Sequence, residues 1–311
     1  MRGLRPPHRI RADGPVQWSA YLYLAPALLF YVVFMIRPVV ESIWISTFEW
    51  DGITPATSVG LENYADVLTS AKFWAAVGHS MVFIVFYAAL PILLALLVVG
   101  VIGRIKVRAL PFFRAVLFVP YILSSVVVAI AWRWIYDLEG PANTVLRALG
   151  LDALTRAWLG DFDTALPAVG LIGTWVMFSL AFVLFVSGVQ KISSDLYEAA
   201  QLDGAGPVQE FLAVTLPGLR GEMRVALVLM ITAALRNFDI VWNTTAGGPG
   251  TSTTVPSYYV YRDAFVTRDV GRASAQSVLI TVLILAMVGL VMVLLRDDAR
   301  RPGRRAKNAA A

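Results

Sequence analysis

No cysteine occurs among the 311 residues, so disulfides and thiolate-ligated metals play no part in this chain. Histidine is nearly missing too: with His8 and His79 alone, a histidine-rich metal site is excluded. Charge is scarce, at 15% of residues against roughly a quarter in soluble domains. No Gly-x-x-x-x-Gly-Lys-Ser/Thr segment is present, so the chain has no phosphate-cradling loop of that kind. No apolar stretch carries a nucleophile and base at helical spacing beside metal-ligand residues, which argues against an intramembrane enzyme.

What the sequence has instead is apolar length. Hydrophobic residues make up 58%, and the mean hydropathy is +0.69. Runs long enough to cross a bilayer fall at 20–40, 75–99, 113–135, 165–188, 223–243 and 275–295. The expectation is an all-α integral membrane protein with six transmembrane helices. The fifth run is the weakest, because Arg236, Asn237 and Asp239 interrupt it. Arg2, Arg5, Arg9 and Arg11 precede the apolar run Ala20 to Ile36. That run is longer than a signal-peptide core and no small-x-small site follows it, so it reads as an uncleaved first helix. Pro26, Pro38, Pro91, Pro111 and Pro120 sit within or beside spans, where each removes a backbone donor and can kink or end a helix.

Orientation follows from the distribution of lysine and arginine. The N-terminal segment, the second connection (Arg104, Lys106, Arg108, Arg114) and the tail (Arg296 to Lys307) are basic. The first and third connections are acidic, with Glu41, Glu49, Asp51, Glu62 and Asp66 in one and Asp137, Glu139, Asp152, Asp161 and Asp163 in the other. Both termini are therefore expected in the cytoplasm. The net charge of +5 lies at membrane flanks rather than on one soluble face, which argues against nucleic acid as a partner. The expected division is a cytoplasmic tail at 1–19, a first helix and outer loop at 20–74, a five-helix core at 75–295, and a basic tail at 296–311.

The longest connection on the basic side is the polar loop at 190–220. Ser194 or Asp195 can cap a helix, and Asp195 with Glu198 resembles a capping box. Ile192, Leu196, Ala199 and Ala200 recur at helical spacing. Gly204 and Gly206 permit the positive φ that ends such a helix. Pro207 suits the first turn of a second helix carrying Phe211, Leu212 and Leu216, and Pro217 is expected to stop it. Periodicity leaves two roles open, docking into another protein's groove or resting on lipid.

The pattern Glu198-Ala199-Ala200, Asp203-Gly204-Ala205 and Leu216-Pro217 resembles the EAA signature of permease subunits in bacterial ABC importers (the MetI-like group). More narrowly, the chain is similar to the carbohydrate-uptake members that include the maltose and glycerol-3-phosphate permeases. Supporting segments run end to end: Ala25-Pro26 with Arg37-Pro38, Gly60 to Tyr64, Gly140 to Asn143 with Trp158-Leu159, Phe238-Asp239 with Thr245 to Pro249 and Thr253, and Gly271 to Ser277. The maltose subunit's large outer insertion and extra helices are absent here.

The resemblance implies a type I ABC importer permease fold in a bacterial plasma membrane. It implies a non-enzymatic transport subunit that binds no cofactor or metal itself, with ATP and Mg on a partner ATPase dimer. The implied partners are that ATPase, a second homologous permease, an extracytoplasmic solute-binding protein, membrane lipid and a sugar. Glu198, Ala199, Ala200, Asp203, Gly204, Leu216 and Pro217 would couple to the ATPase. A bulky side chain at Gly204 would meet the ATPase wall or the preceding turn.

For the solute path, planar polar groups that bond hydroxyls and aromatic faces that stack on rings nominate Asn237, Asp239, Asn243, Trp175, Ser179 and Gln276. Arg236 and Asp239 are three apart and can neutralise each other on one helix face or contact solute. Asp239 lies 15 residues beyond Arg224, about 20 Å up a path of about 30 Å. A glycerol-3-phosphate, glycerophosphodiester or polyol permease of the same group is the alternative within transport. An ion-coupled secondary carrier is the alternative outside it, and would call for inverted repeats that the sequence does not show.

Overall fold

The computed structural model describes residues 18–102 and 110–295. Most of the N-terminal tail, the basic Arg104 to Arg108 stretch and the 296–311 tail lie outside the described residues. Four helices are long and apolar enough to cross a membrane: Leu22–Ile45, Ala71–Gly100, Ala165–Val189 and Val270–Leu294, with mean hydropathies of 1.9 to 2.9. They coincide with the first, second, fourth and sixth expected spans.

The third and fifth do not form as single helices. The run expected at 113–135 is two helices, Phe112–Ile122 and Ser125–Ile135, bent by 96°; Ser124 between them holds extended backbone (φ −59°, ψ 136°). The run expected at 223–243 divides into Arg220–Leu235 and Asp239–Thr244. Its break falls at Arg236 to Phe238, where polar side chains interrupt the apolar sequence. Exposed backbone groups find no partner in hydrocarbon, so breaks at this depth are tolerated where they line a cavity or are buried in protein.

Pro120 stands two residues before the end of its helix and the 96° bend, as expected of a kink or end, whereas three other prolines each follow a widened turn. Wide π-helical turns occupy Val32–Ile36, Val85–Ala89 and Phe211–Thr215, and each ends two residues before a proline: Pro38, Pro91 and Pro217. A proline ring clashes with the carbonyl four residues back and leaves it without a donor. Widening the preceding turn relieves both faults and lets the helix continue. Pro217 sits inside the last turn, and its helix ends one residue later, at Gly218, close to the expected stop. In the second span the Phe86 carbonyl inside the wide turn accepts the Thr174 hydroxyl at 2.7 Å.

Ala165–Val189 is the central helix. Its apolar window is 56% buried, whereas that of Leu22–Ile45 is 0% buried and lies wholly at the periphery. Phe182, Phe185 and Val186 pack with Ala88, Ala95 and Val99 of the second span and with Leu219, Ala226 and Met230 near the base of the fifth. Close approach depends on glycine: a Cβ at Gly173 would overlap the Tyr87 ring, and one at Gly170 would press on Phe86.

One end of the bundle carries a short antiparallel hairpin, Phe48–Glu49 with Thr57–Ser58. Asn63 ties it down, its Nδ2 donating to the carbonyls of Ser46 and Phe48 at 2.9 Å each. Asn143 does the same work for the connection after Ile135. Its Nδ2 donates to the Arg156 carbonyl at 3.0 Å, and its Oδ1 accepts from Trp158 Nε1 at 2.9 Å.

Candidate functional site

The polar loop lies at the opposite end of the bundle, and it is a helix–turn–helix. Its first helix is Ser194–Leu202. The cap is Ser193 rather than Ser194 or Asp195, with Ser193 Oγ accepting from the Asp195 N–H at 3.3 Å. Gly204 turns the chain at φ +79°. Gly206, contrary to expectation, is extended at φ −73°, and its N–H is taken by Gln209 Oε1 at 2.8 Å. The second helix starts at Pro207 and passes through the wide turn to Gly218.

The two arms are joined by Tyr197 and Thr215, hydroxyl to hydroxyl at 3.1 Å, and by Gln201 Nε2 donating to Glu210 Oε2 at 3.2 Å. Glu198, Ala199, Asp203 and Gly204 face outward, while Ala200 and Leu216 are half-buried. Leu202 is 88% exposed and Val208 69% exposed, apolar area that the rest of this chain leaves open. A Cβ built on Gly204 meets no atom within 4 Å. The preceding turn therefore does not restrict that position; its positive φ does.

The loop is fixed to the spans at its base. Within the loop Ile192 packs on Gly218, and Leu219 and Glu222 pack on Gly188 of the central helix, so that a Cβ at either glycine would push those side chains aside. Lys191 Nζ donates to Glu222 Oε1 at 2.9 Å, and Phe211 packs on Gly100 of the second span. Arg224 Nη2 donates to the Leu295 carbonyl, tying the start of the fifth span to the end of the last helix. From this base Arg220–Leu235 runs 16 residues, about 24 Å, to the break at Arg236.

A cavity of about 410 Å³ opens at that break, lined by Tyr87, Leu123, Ser125, Arg236, Asn237 and Asp239 among others. The two interrupted spans meet there, and Asp239–Thr244 packs on Ser125–Ile135. Asn237 is 7% exposed; its Nδ2 is buried, and the polar group beside it is the Tyr87 hydroxyl. Arg236 and Asp239 are exposed. Because the helix breaks between them, they do not share one helical face, and no ion pair or hydrogen bond joins them.

The other nominated path residues lie elsewhere. Trp175 meets Trp132 edge to face at 5.7 Å. Ser179 is fully buried, its hydroxyl without a partner. Asn243 donates to the Asp239 carbonyl at 2.8 Å. Gln276 lines a different cavity. Tyr87, Ser125 and Thr232 are polar lining residues that sequence reasoning missed. For Tyr87 the available signal was Gly173 four residues before Met177 on the central helix, but its partner ring is far away in sequence.

Comparison with known proteins agrees with this architecture. Residues 23–298 match the family model described as binding-protein-dependent transport system inner membrane component. The probable ABC transporter permease protein YurN of Bacillus subtilis is 36% identical over 270 residues, 86% of this chain and 92% of that one. The trehalose/maltose transport system permease protein MalF of Thermococcus litoralis is 34% identical over 269 residues, covering 86% and 90%. The crystal structure of a bacterial alginate ABC transporter, in complex with an alginate pentasaccharide-bound periplasmic protein, superposes with a TM-score of 0.73 at 23% identity, covering 90% of this chain and 94% of that one. At that identity the likeness is one of fold.

Proposed function

This chain belongs to the family of binding-protein-dependent transport system inner membrane components, and from that premise we propose that it is one half of the membrane path of an ATP-driven sugar importer. The path is completed by a second, homologous permease. ATP and Mg are handled by a separate ATPase dimer, and solute is delivered by an extracytoplasmic binding protein. The setting is a bacterial plasma membrane crossed six times, counting each interrupted pair as one crossing, with both termini in the cytoplasm.

The observation that carries this reading is the continuous brace from the polar loop to the cavity. Glu198, Ala199 and Asp203 stand on an exposed turn beside open apolar area at Leu202 and Val208. That suits a groove on a partner protein better than lipid, because the turn is both charged and apolar and projects beyond the bundle. The loop's base is held to the fifth span by Lys191, which donates to Glu222, and the start of that span packs through Leu219 and Glu222 on Gly188 of the central helix. The far end of that helix is Arg236, at the cavity rim. Displacing the loop therefore moves the cavity wall.

A sugar is favoured over an anion at this cavity. Asn237, beside the Tyr87 hydroxyl, brings an amide next to a hydroxyl and an aromatic ring, while Arg236 is the one arginine in the lining, which it shares with the acid Asp239. The trehalose/maltose permease among the relatives supports the same choice. The test is ATP hydrolysis by the reconstituted complex with its binding protein. A neutral sugar is expected to stimulate it; stimulation by glycerol 3-phosphate alone would overturn the sugar assignment. Uptake driven by an ion gradient without ATP would overturn the importer class.

A further inference from the structure

A second cavity, of about 350 Å³, lies at the hairpin end of the bundle, where the starts of the second and last long helices meet the Pro256–Arg262 helix. It shares no lining residue with the cavity at Asn237. Its size falls within the usual range of about 300–1,000 Å³ for small-molecule sites. Lys72, Arg262, Asp263, Asp269, Arg272 and Gln276 contribute its charged and amide groups.

Gln276 is 3% exposed. Its amide nitrogen donates to Asp263 Oδ2 at 2.8 Å, which fixes the orientation of the amide: turned over, its oxygen would face a carboxylate. The other end, Oε1, is buried without a hydrogen-bond partner. Arg272 Nε is also buried without a hydrogen bond, its nearest carboxylate oxygen being Asp263 Oδ2 at 3.7 Å. Both residues line this cavity; buried polar atoms are normally satisfied, and Gln276 Oε1 lacking a partner here calls for one.

The chemistry of that occupant follows from what each group still lacks. Asp269 caps the last helix by accepting from the Arg272 N–H at 3.0 Å, and Asp263 is engaged by Gln276 and Arg272. Lys72 and Arg262 are exposed, and neither forms an ion pair with a described residue. Three cations thus stand against two occupied acids, leaving a demand for negative charge. Gln276 Oε1 requires a hydrogen-bond donor and Arg272 Nε an acceptor.

We infer that this cavity binds a small hydroxy-carboxylate, of the uronic acid class, at a site separate from the main cavity. The carboxylate meets Lys72, Arg262 and Arg272, and a hydroxyl donates to Gln276 Oε1. The inference does not rest on which solute the importer carries.

The test uses the full chain with its companion subunits in nanodiscs and titrates D-glucuronate, D-glucose and acetate calorimetrically. Glucose lacks the charge and acetate lacks the hydroxyls, so glucuronate is expected to bind at least tenfold tighter than either. Gln276→Leu is expected to weaken glucuronate at least tenfold. Lys72→Ala, at an exposed position, should weaken it severalfold without touching the fold. Asn237→Leu should leave it unchanged. Absence of glucuronate binding, glucose or acetate binding that Gln276→Leu and Lys72→Ala weaken as much as they weaken glucuronate, or a loss caused by Asn237→Leu and not by Lys72→Ala would overturn the inference.

Discussion

Thr174 donates its hydroxyl to the Phe86 carbonyl at 2.7 Å, so the central helix supplies the hydrogen bond that the wide turn before Pro91 needs. Thr174→Val keeps the shape and removes the donor. It leaves a half-buried carbonyl poorly satisfied, at a cost of about 1–3 kcal/mol. A lowered Tm of the detergent-solubilised protein, restored by Thr174→Ser, is the expected result. An unchanged Tm would show that the turn is held by other contacts.

Gly204 combines a positive φ with open space. Gly204→Ala should fold, with backbone strain of about 1–3 kcal/mol. Gly204→Asp adds charge and bulk to the exposed turn and is expected to abolish uptake while the protein persists in the membrane, read by immunoblot and transport assay together. Normal transport by that variant sinks the coupling role of the loop.

Gly218 lies against Ile192, whose side chain a Cβ there would push aside. Gly218→Val should displace the loop base and make ATP hydrolysis insensitive to solute. Lys191→Ala should do far less, because its partner distance of 2.9 Å belongs to a side chain that is 72% exposed, and such exposed pairs contribute about 0–1 kcal/mol.

Asn237 brings a buried amide donor to the lining of the main cavity, beside the Tyr87 hydroxyl. Asn237→Leu removes it, and the solute concentration for half-maximal stimulation of ATP hydrolysis should rise about tenfold, as for loss of one well-made hydrogen bond. Arg236→Gln should change a neutral sugar's value much less.

The Asp51 carboxylate accepts from the backbone N–H groups of Thr54 and Ile53 and from the Thr54 hydroxyl. These bonds, that of the Thr54 N–H foremost, hold its pKa below the ordinary aspartate value. The stabilisation of the turn is present above that ordinary value and is lost as pH falls through the lowered one. Amide exchange at Ile53 and Thr54 should therefore stay protected in mild acid and rise only below the usual carboxylate range.

The sequence made the long spans and the loop legible for local reasons. Ala165–Val189 and Val270–Leu294 are apolar enough to be read by counting, and Gly204 marks a turn that only positive φ permits. Ser193 as the cap escaped because three candidate oxygens stand in a row, at Ser193, Ser194 and Asp195. The wide turns escaped because their partners are distant: Thr174 answers Phe86 from 88 positions away. The same holds for the separation of Gln276 from Asn237. Both are amides in late spans, and only the folding of the Pro256–Arg262 segment against the last helix assigns Gln276 to Asp263 and a different cavity.

The two interrupted spans also bear on how the chain enters its bilayer. Ser125–Ile135 has 11 residues, about 16 Å of helix, and Arg220–Leu235 reaches about 24 Å, both short of a hydrocarbon core of about 30 Å. Neither piece is long enough to commit to a crossing during synthesis by its own length. If the chain crosses six times as proposed, topology would be decided by the four long helices, with the broken segments following their neighbours. A defect in one long helix would thus be felt first as wrong sidedness of the cavity-forming segments, before any loss of the cavity itself.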